Sequence, residues 1–134
     1  MGGKSAVIEI DMGKYKSVRL GQSEAEKLLA LIVEELGYES TDAAETFRII
    51  RNFESFYETM KKKFKDYLAP SKSLDDMIRG TVIVDRVKLL KENGENSVIL
   101  VFDRRVGEDV IKRALEKLGY DVEVKRPKAS YGTV

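Results

Sequence analysis

Two acidic residues follow runs of β-branched residues, and each stands beside an arginine. Asp85-Arg86 comes after "TVIV", and Asp103-Arg104 comes after "SVILVF". In open α/β sheets, ligands collect beyond the carboxyl ends of the strands, where carboxylates suit Mg²⁺ and a bound phosphate. The structural alternative is that each Asp ends its strand or caps the next element, with its Arg in solvent. Asp85 and Asp103 are therefore candidates for chemistry, with the alternative left open.

The neighbouring carboxylates Asp75 and Asp76 form a further candidate pair. They fall in the first turn of a short helix predicted for "SLDDMIRG", with Ser73 as its cap, where acids complement the helix dipole. Adjacent helical positions diverge by about 100°, so the two carboxylates cannot easily chelate one ion. The weak catalytic candidates are thus Asp76, Asp85 and Asp103, and no metal site is predicted.

Basic residues form two clusters, "KKKFK" at 61–65 and "KRPK" at 125–128, with Tyr67 and Tyr131 close by. Lysine and arginine bind phosphates, and tyrosine rings stack on bases. The alternative is a solvated face on a charge-rich surface. The residues predicted to bind nucleic acid come from both clusters and from the intervening segment: Lys61, Lys62, Lys63, Lys65, Arg79, Lys125, Arg126 and Lys128.

Composition excludes several kinds of active site. The chain has 134 residues, with no Cys, His or Trp. Thiol nucleophiles, zinc-thiolate sites, imidazole bases and Ser-His-Asp triads are therefore absent. No cofactor is predicted, and a metal would need oxygen ligands, which favours Mg²⁺, Mn²⁺ or Ca²⁺. Charged residues make up 35% of the chain, and 24 basic against 23 acidic residues give a net charge of +1. Nucleic-acid binding would thus need a local patch.

One stretch resembles a known family. "FYETMKKKFKDYLAPSKSLDDMIRGTVIV" at 56–84 is similar to the start of the synthetase domain of RelA/SpoT-type nucleotidyltransferases, in which a Lys-rich helix leads to a strand with a metal-binding Asp. "VKRPKASYG" at 124–132 is similar to that family's Pro-Lys-x-x-Gly-Tyr segment, with Tyr and Gly in reversed order. The resemblance implies a Mg²⁺-dependent nucleotidyl- or phosphoryl-transfer reaction, with Asp76 as the metal-binding acid and Lys61 to Lys63 facing phosphates.

The first part of the chain predicts a hairpin and two helices. "AVIEIDMGKYKSVRL" at 6–20 reads as a β-hairpin with Gly13 in its turn. Residues 21–38 predict an amphipathic helix, with a Ser23–Glu26 capping box and Gly37 as its stop. Residues 40–70 predict one long helix, of about 28 residues and roughly 40 Å, which kinks, outreaches the domain or packs on a partner. Its aromatic stripe is predicted to form core.

The second part predicts a β-α-β unit. Residues 81–90 fit either a strand or a helix, and Asn93-Gly94 marks a break. Residues 97–102 predict a buried central strand, 107–120 a helix stopped by Gly119, and 121–126 a strand in the same sheet. The tail at 127–134 is either loop or an edge strand.

These elements predict a single α+β domain at 1–134: an N-terminal β-hairpin, an amphipathic helix, one long helix, and a C-terminal β-α-β unit in a small mixed sheet with helices packed on it. We expect a cytoplasmic protein of a thermophile, with no membrane segment. The favoured function is a non-catalytic module that binds nucleic acid. The alternatives are the Mg²⁺-dependent transferase and a protein-interaction or homodimer module.

Overall fold

Five strands form one mixed sheet in a computed structural model that describes residues 3–128. The predicted Tyr131 contact and most of the predicted tail segment lie outside those residues. In chain order the strands are Lys4–Ile10 (β1), Lys16–Gly21 (β2), Val84–Glu92 (β3), Glu95–Phe102 (β4) and Tyr120–Lys125 (β5). Their order in the sheet is β3-β4-β2-β1-β5, and only the β1–β5 pair is parallel.

Five helices accompany the sheet in the described chain: Gln22–Leu36 (α1), Thr41–Arg51 (α2), Phe53–Lys62 (α3), Leu74–Arg79 (α4) and Glu108–Lys117 (α5). Helices α1, α2, α3 and α5 pack on strands. The core-facing residues of neighbouring strands lie opposite one another. Leu100 of β4, for example, is paired with Val18 of β2 on one side and with Val87 of β3 on the other. The α+β prediction is confirmed, with helices packed on one face of a small mixed sheet.

Alternation along the strands divides the sheet into two faces. Ala6 and Ile8 of β1 are buried on the helix side, whereas Ser5 and Val7 point to the other side. Within residues 3–128 no helix covers that second face, and its residues are mostly polar or half-buried. An antiparallel or mixed sheet with one solvated face shows this pattern.

The predicted hairpin and the β-α-β unit are both present, and β4 and β5 run in the same direction with β2 and β1 between them. Residues 84–92 are a strand, which settles the ambiguity at 81–90. Asn93 and Gly94 connect β3 to β4 with φ values of 53° and 77°, which a two-residue type I′ turn requires.

The predicted long helix is not continuous: it is interrupted at Asn52, where the kink that was left open divides it into two helices. Both the backbone and the side-chain N–H groups of Asn52 donate to the carbonyl of Arg48, at 3.0 and 2.8 Å. The backbone bond is an ordinary helical bond, and the side-chain bond shares its acceptor. The second helix, α3, ends at Lys62, well before Pro70.

Two local predictions near the N-terminus were also wrong. Helix α1 begins at Gln22 after Gly21, without a side-chain cap, so Ser23 and Glu26 form no capping box. In the β1–β2 turn, Lys14 has the positive φ of 70° expected for Gly13. The turn is fixed instead by Asp11, whose carboxylate accepts a hydrogen bond from the Tyr15 N–H at 3.0 Å.

Candidate functional site

The Lys-rich cluster, Lys61 to Lys65, lies at the C-terminal end of α3. The N–H of Phe64 donates to the Lys61 carbonyl at 3.1 Å, and that of Lys65 donates to the Met60 carbonyl at 3.0 Å. These two bonds form a Schellman motif, whose left-handed position normally holds glycine. Here it holds Phe64, with a φ of 52°.

The side chains of this cluster face solvent. Phe64 is 95% exposed, and the four lysines around it are exposed as well. Within residues 3–128, none of these lysines lies within ion-pairing distance of a carboxylate. The Lys-rich cluster therefore presents uncompensated positive charge around one aromatic ring.

From this cluster the chain runs directly to the edge of the sheet. Leu68 pairs with Val87 of β3 through two backbone hydrogen bonds of 2.8 and 2.9 Å. The neighbouring residue, Tyr67, is thereby held beside β3. Its ring lies 5.1 Å from the Arg86 guanidinium and 5.5 Å from the Lys88 ammonium.

Tyr15, Arg86 and Tyr67 form an aromatic–arginine stack on the face of the sheet that no described helix covers. The Arg86 guanidinium lies 5.8 Å from the Tyr15 ring as well as 5.1 Å from Tyr67, within the range of cation–π attraction. All three residues line a depression of about 190 Å³ together with Val101. Val101 is only 3% exposed although it belongs to this face.

A larger groove of about 570 Å³ runs across the same face. Tyr67 lies at one end, and the rest of the lining comes from β1, β2 and β4. These residues combine small polar side chains, apolar ones, one arginine and one carboxylate: Ser5, Ser17, Ser97, Val7, Ile99, Arg19 and Glu9. The arginine pairs with Glu92. The groove thus offers hydroxyl groups and flat apolar surface beside the aromatic–arginine stack.

Charge is distributed unequally across this face. Arg86, which is paired with Asp85, and Lys88 project from β3, whereas Asp121 and Glu123 project from β5 at the opposite edge. Between these edges Glu9 of β1 lies opposite Lys125 of β5. A polyanion would therefore be attracted to the β3 side of the sheet and repelled from the β5 side. Helix α3, which ends in the Lys-rich cluster, contacts β3.

The second basic cluster lies on the other edge of the sheet, at the end of β5. Arg126 donates to both carboxylate oxygens of Glu108, at 2.7 and 2.8 Å. This bidentate pair raises the pKa of Arg126 and lowers that of Glu108. Lys125 and Lys128 are exposed nearby. Arg79, on α4, pairs with Asp75 at 3.2 Å. The structure therefore brings Lys61, Lys62, Lys63 and Lys65 together but leaves the other predicted residues elsewhere.

Asp76 serves the local fold. Its carboxylate accepts hydrogen bonds from the Thr41 N–H at 3.0 Å, the Ser73 hydroxyl at 2.8 Å and the Thr81 hydroxyl at 2.7 Å. These bonds, the Thr41 N–H first among them, lower the pKa of Asp76. Residues 74–79 are helical, so the strand implied by the RelA/SpoT-type resemblance is not present at Asp76.

Asp85 and Asp103 lie at the same end of the sheet, since Val84 pairs with Phe102. The expectation that both follow a strand was wrong for Asp85, which is the second residue of β3 and sits at a bulge. The Asp85 carboxylate forms an ion pair with the Arg86 guanidinium at 2.6 Å and lies 3.9 Å from the Lys72 ammonium. Asp103 accepts the Arg105 N–H at 2.9 Å, which is a turn contact.

No group of three or more acidic side chains in the described chain converges as a metal site. The residues that sequence reasoning missed are Tyr15, Arg19, Arg86 and Lys88 as members of one surface. The available signal was the alternation in "DRVKLL", which places Arg86 and Lys88 on one face once the segment is a strand.

No protein-family model, curated protein or solved structure matches this chain. The described helices include none with the length and apolar character needed to cross a membrane.

Proposed function

We propose that this protein binds single-stranded nucleic acid along the open face of its sheet, with the Lys-rich cluster holding the backbone. The observation that carries the proposal is the aromatic–arginine stack of Tyr15, Arg86 and Tyr67. It borders the groove on one side and is connected through Tyr67 to the Lys-rich cluster.

The two parts of this surface supply complementary interactions. Ammonium groups without carboxylate partners bind phosphates and release counterions, which gives affinity without sequence preference. Aromatic and guanidinium planes stack on bases, at about 1–3 kcal/mol per base. Hydroxyl groups of Ser5, Ser17 and Ser97 can donate to base edges or to sugars. The combination fits a strand whose bases are splayed out.

Stacking on the aromatic–arginine stack requires bases that are not paired in a duplex. In a duplex the base faces are buried in the stack, so rings that lie on a sheet cannot reach them. The acidic residues on the β5 side restrict the favourable path to β3, β4 and β2. A single strand following those three strands stays away from Asp121 and Glu123 and near Arg86 and Lys88, and it passes Glu9, which lines both the groove and the depression.

The proposal is tested by fluorescence anisotropy with labelled single-stranded RNA, single-stranded DNA and the corresponding duplexes. We expect single strands to bind more tightly than duplexes. Tyr67→Leu should weaken single-strand binding by about 5- to 100-fold through loss of stacking. Tyr38→Leu is the matched control, because Tyr38 lies outside the groove. Equal binding of duplexes, or wild-type affinity for Tyr67→Leu, would contradict the proposal.

A homodimer is the second candidate, supported by an apolar surface on α4 rather than by the helices at 41–62. Leu74, Met77 and Ile78 lie at helical spacing and are exposed. We propose that a second copy covers them, and that Ile78→Glu keeps the protein monomeric. Light scattering over a concentration series decides this, and a monomer at all concentrations would remove the proposal.

The cellular location of the protein and the kind of organism it comes from are also proposals. We infer a cytoplasmic protein from a thermophile, and the high charged fraction, with many side chains in surface ion pairs, supports the thermophile.

A further inference from the structure

Lys16 is a buried lysine at the start of β2. The residue is 8% exposed, and its ammonium donates one hydrogen bond, to the Arg104 carbonyl at 2.8 Å. Within residues 3–128 no carboxylate lies within ion-pairing distance of it. Burial lowers the pKa of Lys16, although Glu108 and Asp103 act in the opposite direction. A buried ammonium with donors to spare needs a partner.

The side chain lines a cavity of about 410 Å³ that is separate from the nucleic-acid groove. This cavity lies at the edge where β1 and β5 end and where α5 begins. Ile10, Met12 and Pro127 give it an apolar wall, and its cations are Lys14, Lys16 and Arg126. In open α/β sheets, ligands collect beyond the carboxyl ends of parallel strands, and β1 and β5 are the one parallel pair of this mixed sheet in the described chain.

The acids of this cavity already have partners. Glu108 is held by both nitrogens of the Arg126 fork, and Asp11 accepts the Tyr15 N–H. Three cations, Lys14, Lys16 and Arg126, thus face two carboxylates, Asp11 and Glu108, so the lining of the cavity has an excess of one positive charge. Lys14 is exposed and has a φ of 70°, a strained value for a lysine. Strain of this kind is often retained at binding sites.

We infer that this cavity binds a phosphate monoester with a small apolar body. The ammonium groups of Lys16 and Lys14 hold the phosphate oxygens. The apolar wall contacts the ester group. The phosphate is the favoured anion because it offers three acceptor oxygens to these ammonium groups, where a carboxylate offers two.

The experiment is calorimetric titration of the whole protein with phenyl phosphate, with inorganic phosphate and benzoate as separate arms at matched ionic strength. We expect phenyl phosphate to bind most tightly. Lys16→Gln should weaken it by about 10- to 100-fold, which is the loss of one charge-assisted hydrogen bond. Lys14→Asn, at a position where Asn tolerates the positive φ, should weaken it as well.

Lys112→Gln is the matched control on the exposed side of α5, and it should bind phenyl phosphate like the wild type. Tyr67→Leu should also leave this binding unchanged, which separates the cavity from the groove. Wild-type affinity in both Lys16→Gln and Lys14→Asn would overturn the inference. Tighter binding of benzoate than of phenyl phosphate would overturn the choice of phosphate.

Discussion

Phe64→Gly should make the protein more stable while it weakens binding to single-stranded nucleic acid. Phe64 holds the left-handed position that ends α3, with a φ of 52°. A non-glycine residue there costs about 1–2 kcal/mol, and glycine removes this cost. Glycine also makes the unfolded chain more flexible, which offsets about 0.5–1 kcal/mol. Because the ring is 95% exposed, its removal forfeits almost no buried surface.

Taken at the middle of the two ranges, the net gain in the free energy of unfolding is about 0.75 kcal/mol, which corresponds to a rise in Tm of roughly 2–4 °C for a chain of this size. Differential scanning calorimetry measures the first effect, and fluorescence anisotropy with a labelled single strand measures the second. The expected loss of affinity is about 5-fold or more if the ring stacks on a base.

Phe64→Ala is the control that separates the two effects. It removes the ring but keeps a side chain in the left-handed region, so affinity should fall without the gain in Tm. An unchanged or lower Tm for Phe64→Gly would show that the conformation is not strained. Wild-type affinity in both variants would show that the exposed ring does not contact nucleic acid.

Three further predictions concern stability. Phe53→Ala should cost about 3–5 kcal/mol in urea unfolding because the ring is buried, and a near-wild-type midpoint would refute this. Asp42→Ala should cost roughly 2–5 kcal/mol, since the buried N–H groups of Ile83 and Val84 lose their acceptor, while Asp42→Asn should cost less in urea unfolding, because the Asn oxygen can still accept both bonds. An Asp42→Ala midpoint like that of the wild type would refute this. The stability that Asp76 contributes is present above its ordinary pKa of 3.8 and is lost as the pH falls through its lowered folded value. Wild-type protein and Asp76→Asn should therefore differ at pH 7 and converge in strong acid, and a gap in unfolding midpoint that does not narrow would refute the role.

Much of the fold follows from local patterns in the sequence. Asn93-Gly94 between two β-rich runs predicts a turn, and Gly37 and Gly119 end their helices in the left-handed conformation. Alternation in "DVEVKR" predicts β5. The break at Asn52 could not be predicted from periodicity, because the apolar spacing continues through it. At the break the Asn52 side chain donates to the Arg48 carbonyl, a contact that periodicity does not report.

The candidate site is less accessible to sequence reasoning. Tyr15, Tyr67 and Arg86 lie far apart in the chain and meet only because β3, β4 and β2 are neighbours and Leu68 pairs with Val87. The Lys-rich cluster is visible as a run of letters, but its lack of ion-pair partners is a property of the fold. Arg79 and Arg126 were predicted from the same kind of pattern, but in the fold each of them forms an ion pair with an acidic residue.

The most direct measurement of the central claim is the salt dependence of single-strand affinity for the wild type and for Lys61/Lys62/Lys65→Gln. Each phosphate contact contributes about 0.7 to the slope of log K against log salt for a single strand. The triple variant should bind more weakly at low salt, reduce that slope by about 2, and keep the wild-type Tm because its side chains are exposed. An unchanged slope and affinity, with Tm retained, would show that the Lys-rich cluster does not contact phosphates.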